Sequence, residues 1–137
     1  MKRIVRIWFD GDWLCGEDEG GKVYRQSVLW YWRLADATPE QRNDYELSHD
    51  GMHWRCVDED IGMDSFAERD GVEPNAMQRF FLTHREHSIA EWAKILGLSP
   101  VLLRNYINGW ETPSPRMVAD IRSGIRHHSR AFAEVDF

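Results

Sequence analysis

Hydrophobic and polar positions follow two different rhythms along the chain, and the change falls near Pro74. Up to that point the apolar residues come in short β-rich runs separated by turn signals. Lys2–Phe9 reads as a strand and Asp10-Gly11-Asp12 as a turn. Trp13–Glu17 and Lys22–Val28 read as strands flanking the tip Asp18-Glu19-Gly20-Gly21, a hairpin signal. Leu29–Ala35 is bulky and continuous, which fits a buried turn or a short helix. Thr38 can cap a helix, Pro39 suits its first position, and Gln41 completes a capping box. Tyr45–Ser48 and Met52–Val57 are predicted strands joined through His49-Asp50-Gly51. Asp58-Glu59-Asp60-Ile61 follows, with one helical turn predicted at Asp64–Glu68. Arg69–Pro74 has the character of a linker.

Beyond Pro74 the period becomes helical. Asn75–Arg85 brings Met77, Phe80, Phe81 and Leu82 to one helical face. Ser88-Ile89-Ala90-Glu91 is a capping box that opens a helix ending at Gly97. Ser99-Pro100 opens the next, which ends at Gly109. Ser114-Pro115 repeats the start signal, and Met117, Val118, Ile121 and Ile125 continue it as an apolar stripe. The pattern therefore predicts four short-linked helices. The expected fold class is α+β, with a small mixed domain at 1–72 followed by an all-α domain at 73–137.

Composition changes this picture little. A hydrophobic share of 42% with 29% charged residues belongs to a folded chain rather than a disordered one. Seven Trp are many, and they serve either to fill a small core or to anchor a partner. Cys15 and Cys56 lack metal-ligand spacing and fall in predicted strands, so both are expected as buried free thiols. No apolar run approaches the ~20 residues of a membrane helix. The opening segment reaches Asp10 too soon, and is interrupted by Arg6, to supply a secretory signal. The expectation is a cytoplasmic protein with no membrane partner.

Charge divides at the same place as pattern. Residues 1–74 hold 9 Lys+Arg against 17 Asp+Glu, a net −8, whereas residues 75–137 hold 8 against 6, a net +2. An acidic half is repelled by phosphates, while the basic half can lie along them. The expected partner of the second half is double-stranded DNA.

Ser88–Leu98, Ser99 and Pro100–Gly109 together have helix-turn-helix form. Ala93 is small where two helix axes cross, Gly97 ends the first helix, Leu98 closes the turn, and Leu103 and Tyr106 pack the second helix inward. Ala93, Gly97, Leu98, Ser99, Tyr106, Gly109 and Pro113 stand at spacings that resemble the phage-repressor (Xre-like) family over roughly residues 75–126. The resemblance implies a lambda-repressor-like fold and a DNA-binding role. It also implies that base-reading positions lie at Pro100, Val101, Arg104 and Asn105. Arg104 suits guanine and Asn105 suits adenine, whereas Pro100 and Val101 offer apolar contact to thymine methyls. Phosphate contacts are expected from Ser88, Arg116 and the backbone near Asn108, and Ser99 is a further expected DNA-binding residue.

The first half carries a second resemblance. Ala37-Thr38-Pro39-Glu40-Gln41-Arg42, Tyr45-Glu46-Leu47, His53-Trp54 and Asp58-Glu59-Asp60-Ile61 resemble, in that order, a bacterial family labelled domain of unknown function 2442. The resemblance covers about residues 8–69 and departs at Arg55, where the family has proline, and at Gly62, Met63 and Phe66. Some members carry a helix-turn-helix behind this domain, and others sit beside small partner proteins. The family has no established activity, so the resemblance informs the fold and not the chemistry.

Other constellations are weaker. Asp58-Glu59-Asp60 with His53 invites a metal or acid–base role, but neighbouring residues on a strand face opposite ways, so a solvated acidic turn is expected. His127 and His128 diverge by about 100° on a helix and read as surface residues. No phosphate loop, Gly-x-Ser-x-Gly or zinc-spaced set is present. No enzymatic activity, metal or cofactor is expected. Trp30, Tyr31 and Trp32 are the expected dimer or partner surface. Phe132, Val135 and Phe137 have no evident place in a four-helix core and form the alternative one. The functional expectation is a sequence-specific, dimeric DNA-binding regulator repressing its own operon. The alternative is an adaptor or inhibitor that captures another protein through its acidic, Trp-rich face.

Overall fold

The opening segment folds as an antiparallel meander of β1 (Ile4–Asp10), β2 (Trp13–Asp18) and β3 (Val23–Ser27), with a register shift between Ile4 and Arg6. The computed structural model describes residues 2–137. Ile4, Ile7 and Leu14 turn inward, while Arg6 stacks over Trp8 and Arg25 over Trp13. Asp18 closes the β2–β3 tip: its Oδ1 accepts the backbone N–H of Gly20 at 2.8 Å and of Lys22 at 3.0 Å. Burial alone would raise the Asp18 carboxyl, yet those two N–H groups and the Tyr24 hydroxyl hold it below the usual carboxylate range.

Val28–Trp30 forms a 3₁₀ turn and α1 (Trp32–Ala35) follows. α2 (Pro39–Asn43) starts on the predicted Thr38–Gln41 capping box. Arg42 then reaches back to the end of α1, donating from Nε to the Leu34 carbonyl at 3.0 Å. The Arg42 carbonyl in turn accepts the Trp54 indole N–H at 3.0 Å. A buried indole is therefore satisfied by the segment that caps its neighbour.

β4 (Glu46–Leu47), β5 (Gly51–Trp54) and β6 (Glu59–Gly62) make a second antiparallel meander, and α3 (Met63–Glu68) closes the unit. Two expectations are corrected here. Residues Arg55–Val57 leave the strand for a 3₁₀ turn that ends at Asp58 in the left-handed region, φ +52°. The acidic block is therefore split: Asp58 is an exposed turn residue as expected, while Glu59-Asp60-Ile61 is strand, with Glu59 and Ile61 buried and Asp60 facing water. Burial raises the Glu59 carboxyl, and Arg33 at 3.7 Å opposes that shift. The same turn exposes Cys56, so of the two thiols only Cys15 is buried.

Both sheets, α1 and α3 contribute to one core centred on Ile4, Leu14, Leu34, Trp54 and Phe66. Gln26, fully buried, donates from Nε2 to the carbonyls of Ser65 and Phe66 at 2.8 and 3.0 Å and so ties α3 to β3. The segment expected as a linker is partly fastened to this unit. Gly71 donates to the Arg25 carbonyl at 2.7 Å, and Val72 accepts the Trp30 indole N–H at 3.1 Å. The chain divides after Pro74.

The second unit, from Asn75 onward, is helical: α4 (Ala76–Thr83), α5 (Ile89–Leu96), α6 (Pro100–Asn108) and α7 (Pro115–His128). Its core gathers Phe80, Phe81, Trp92, Ala93, Leu103, Ile107, Ile121 and Ile125. The C-terminal tail corrects another expectation. Phe132, Val135 and Phe137 pack against this core, with the Phe132 ring 5.5 Å from that of Phe80. Arg126 holds the Val135 carbonyl at 2.7 Å, and Arg122 donates to the Phe137 carbonyl. The tail is thus bound within its own chain, with Phe132, Val135 and Phe137 partly buried. The protein is mixed α/β, and no described helix is long and apolar enough to cross a membrane.

Candidate nucleic-acid interface

Local sequence fixes the α5–α6 pair at three points. Ser88 accepts the Glu91 backbone N–H at 3.1 Å while the Glu91 carboxylate accepts that of Ser88, the predicted reciprocal cap. Bonds from His87 and Ser88 hold the Glu91 carboxyl below its usual range. At the other end Gly97 sits at φ +70°, a left-handed conformation that costs glycine nothing. Leu98 then donates its N–H to the Ala93 carbonyl at 2.9 Å, and its side chain turns onto the core. Ser99 caps α6 by accepting the Leu102 N–H at 3.0 Å, with Pro100 in the first helical turn. Ala93, Leu103, Tyr106 and Ile107 are buried along the contact between the two helices and their neighbours.

Exposure sorts the predicted reading residues. Pro100, Val101 and Arg104 lie on the outer face of α6, with Val101 61% exposed. Asn105 is half-buried and donates from Nδ2 to Glu111 Oε2 at 3.0 Å. Its amide is therefore held by an acidic side chain from the loop after α6. Ser88, Ser99 and Arg116 are exposed, and Asn108 is half-buried at the end of α6.

Two residues, one at this surface and one buried behind it, carry no sequence prediction. Trp110, 67% exposed, follows Gly109 directly and adds a large aromatic ring next to the end of α6. Gln78 is the other. It completes a capping box with Asn75 at the start of α4, and its Nε2 donates to the Tyr106 carbonyl at 3.1 Å. The first helix of the unit thereby fixes the end of α6. The Asn75-x-x-Gln78 spacing was the available signal, because it has the form of a capping box.

The expected partner surface in the first unit is dispersed. Tyr31 packs on the core, and burial pushes its hydroxyl up to about 12. Trp30 is half-buried, bonded to Val72 and covered by Arg69 at 4.3 Å. Trp32, 45% exposed, lines an open cleft of about 230 Å³ with Arg33, Asp36, Gln41 and Val57. Of the three aromatic residues Trp32 is the most exposed, although the Arg33 guanidinium lies 4.9 Å from its ring. His53 and Asp60 meet across β5 and β6, Nδ1 to Oδ1 at 2.5 Å, while Asp58 stands apart in its turn. Among the described residues, no group of three or more His, Cys, Asp or Glu is arranged to hold a metal ion.

The folds described above define a protein of two parts, a mixed α/β unit followed by a helical one. Residues 4–70 match the family model described as Protein of unknown function (DUF2442), so the first unit is similar to that family over nearly all its length. That match ends before α4. No curated protein and no solved structure matches the chain.

Proposed function

We propose that the helical unit is a helix-turn-helix of the phage-repressor type and that the protein regulates transcription by sequence-specific binding of double-stranded DNA. The observation that carries this reading is the α5–α6 pair, closed by the Gly97–Leu98 turn, with Arg104 exposed on the outer face of the second helix. In this arrangement α6 enters a major groove while α5 braces it across the backbone. Arg104 reads guanine, Val101 meets a thymine methyl, and Ser88, Ser99 and Arg116 hold phosphates. Asn105 reads adenine once Glu111 releases it. One unit with so few reading groups requires a second copy to reach operator affinity, so the active form is a dimer on an inverted repeat.

Arg104→Ala tests the assignment. It is expected to cost ~1–3 kcal/mol of specific binding with little change in melting temperature, because the side chain is exposed. Fluorescence anisotropy on the DNA upstream of the coding sequence measures the loss. Wild-type affinity in a folded Arg104→Ala variant would remove α6 as the reading helix.

Specific observations favour a second reading, in which the first unit captures another protein. Glu111 places a negative charge beside Asn105, and Trp32 borders a cleft in a unit of net charge −8. The partner in that reading is basic, and the helical unit serves as its scaffold.

A further inference from the structure

His87 and His128 come from opposite ends of the helical unit's sequence, yet their rings meet. Their Nε2 atoms are 3.2 Å apart and their ring centroids 5.1 Å. His87 immediately precedes the α5 cap, and His128 is the last residue of α7. Two imidazole nitrogens bound to one tetrahedral zinc at 2.0–2.1 Å stand about 3.3 Å from each other. The observed separation is already that of a ligand pair.

The surroundings prepare one of the two nitrogens. His87 Nδ1–H donates to Glu91 Oε2 at 3.2 Å, which leaves a lone pair on His87 Nε2. A carboxylate on the far ring nitrogen is the usual outer support of a metal-bound histidine. Without metal, His128 Nε2–H donates to His87 Nε2. On metal binding that proton moves to His128 Nδ1, and both Nε2 lone pairs become available with no net change in charge on the rings. Trp92 backs the pair, its ring centroid 4.9 Å from that of His87 and 5.5 Å from that of His128, so both imidazoles are braced on one side. His128 and one edge of His87 face solvent, which leaves room for water in the remaining positions. His127 belongs to another environment, with Nδ1 donating to the Ser123 carbonyl at 2.9 Å.

We propose that His87 and His128 form a two-imidazole site for a divalent transition metal of the zinc class. Glu91 positions His87, and the bound ion clamps the end of α7 to the start of α5. The affinity expected of two protein ligands is moderate, and the clamp adds to the stability of the helical unit as metal saturates it. This assignment does not depend on DNA binding.

Calorimetric titration of the full chain with zinc chloride, beside melts in zinc and in EDTA, tests it. Wild-type protein is expected to bind one zinc ion at this site and to melt about 5 °C higher at saturation. Both effects disappear in His87→Gln and in His128→Gln and persist in His127→Gln and Cys56→Ser. In wild-type protein the ¹⁵N signals of the His87 and His128 rings shift on adding zinc, a readout that needs no variant. Binding that survives His128→Gln, shifts confined to other histidines, or no binding would each overturn the site.

Discussion

Trp92→Ala is expected to unfold the helical unit at ordinary temperature. The side chain is 1% exposed and is ringed by Phe80, Phe81 and Phe132 at centroid distances of 5.7–5.9 Å. Deleting a buried indole costs roughly 3–5 kcal/mol, which approaches the whole stability of a unit this small. The indole N–H has no acceptor among the described residues, so removing it recovers only a modest desolvation cost. Circular dichroism should lose most of the helical signal while the sheet contribution persists. A cooperative melt with unchanged helix content would show that the ring does not hold this core together.

The second large effect is in the first unit. A Cβ placed on Gly51 would lie 2.3 Å from the Ile61 carbonyl oxygen, and that neighbour is backbone in a paired strand. Gly51 stands opposite Gly62 in the β5–β6 register, so the strands approach where neither carries a side chain. Gly51→Ala must push β6 away from β5 and with it the buried Ile61, at a cost of about 3 kcal/mol or more. Gly62→Ala is the control, since a Cβ there meets nothing within 4 Å. Chemical denaturation should show a large drop for Gly51→Ala and almost none for Gly62→Ala. Equal effects would mean that the loss comes from backbone entropy and not from the close approach.

What the sequence made legible was local. Ser88 with Glu91, Ser99 with Pro100, Ser114 with Pro115 and Thr38 with Gln41 each encode a helix start within four residues, and each cap forms. Gly97 and Gly109 mark helix ends for the same reason, as both adopt positive φ. What stayed hidden depends on partners distant in sequence. Glu59 reads as solvated until Arg33 is brought beside it, and only pairing with β5 makes a strand of an acidic run. Phe132 and Phe137 look unplaced until Arg122 and Arg126 turn the tail back onto Phe80. The candidate site divides in the same way. Arg104 is outward by helical phase alone, whereas the engagement of Asn105 by Glu111 depends on the loop path beyond Gly109. The meeting of His87 with His128 needs the whole helical unit to fold.

The seven Trp also divide between the two roles open to them. Trp54 and Trp92 are core residues, 0% and 1% exposed, each bedded among other aromatics. Trp8, Trp13 and Trp30 lie half-buried beneath arginines, where stacking covers the ring and keeps the cation in water. Trp32, which carries Arg33 over its ring, and Trp110 are the more exposed rings, one in each unit. Abundance alone did not distinguish these fates, because the stacking arginines are set by strand register and turn geometry.

Selection of one DNA sequence over others is measured by competition. Wild-type full-length chain bound to labelled DNA from upstream of its coding sequence is challenged with unlabelled upstream duplex and with random duplex. Specific sites are typically bound at least 10³-fold tighter than random DNA, and a preference of that order is expected together with footprint protection of an inverted repeat. Equal competition by the two duplexes, with no protected repeat, would rule out sequence selection by this protein.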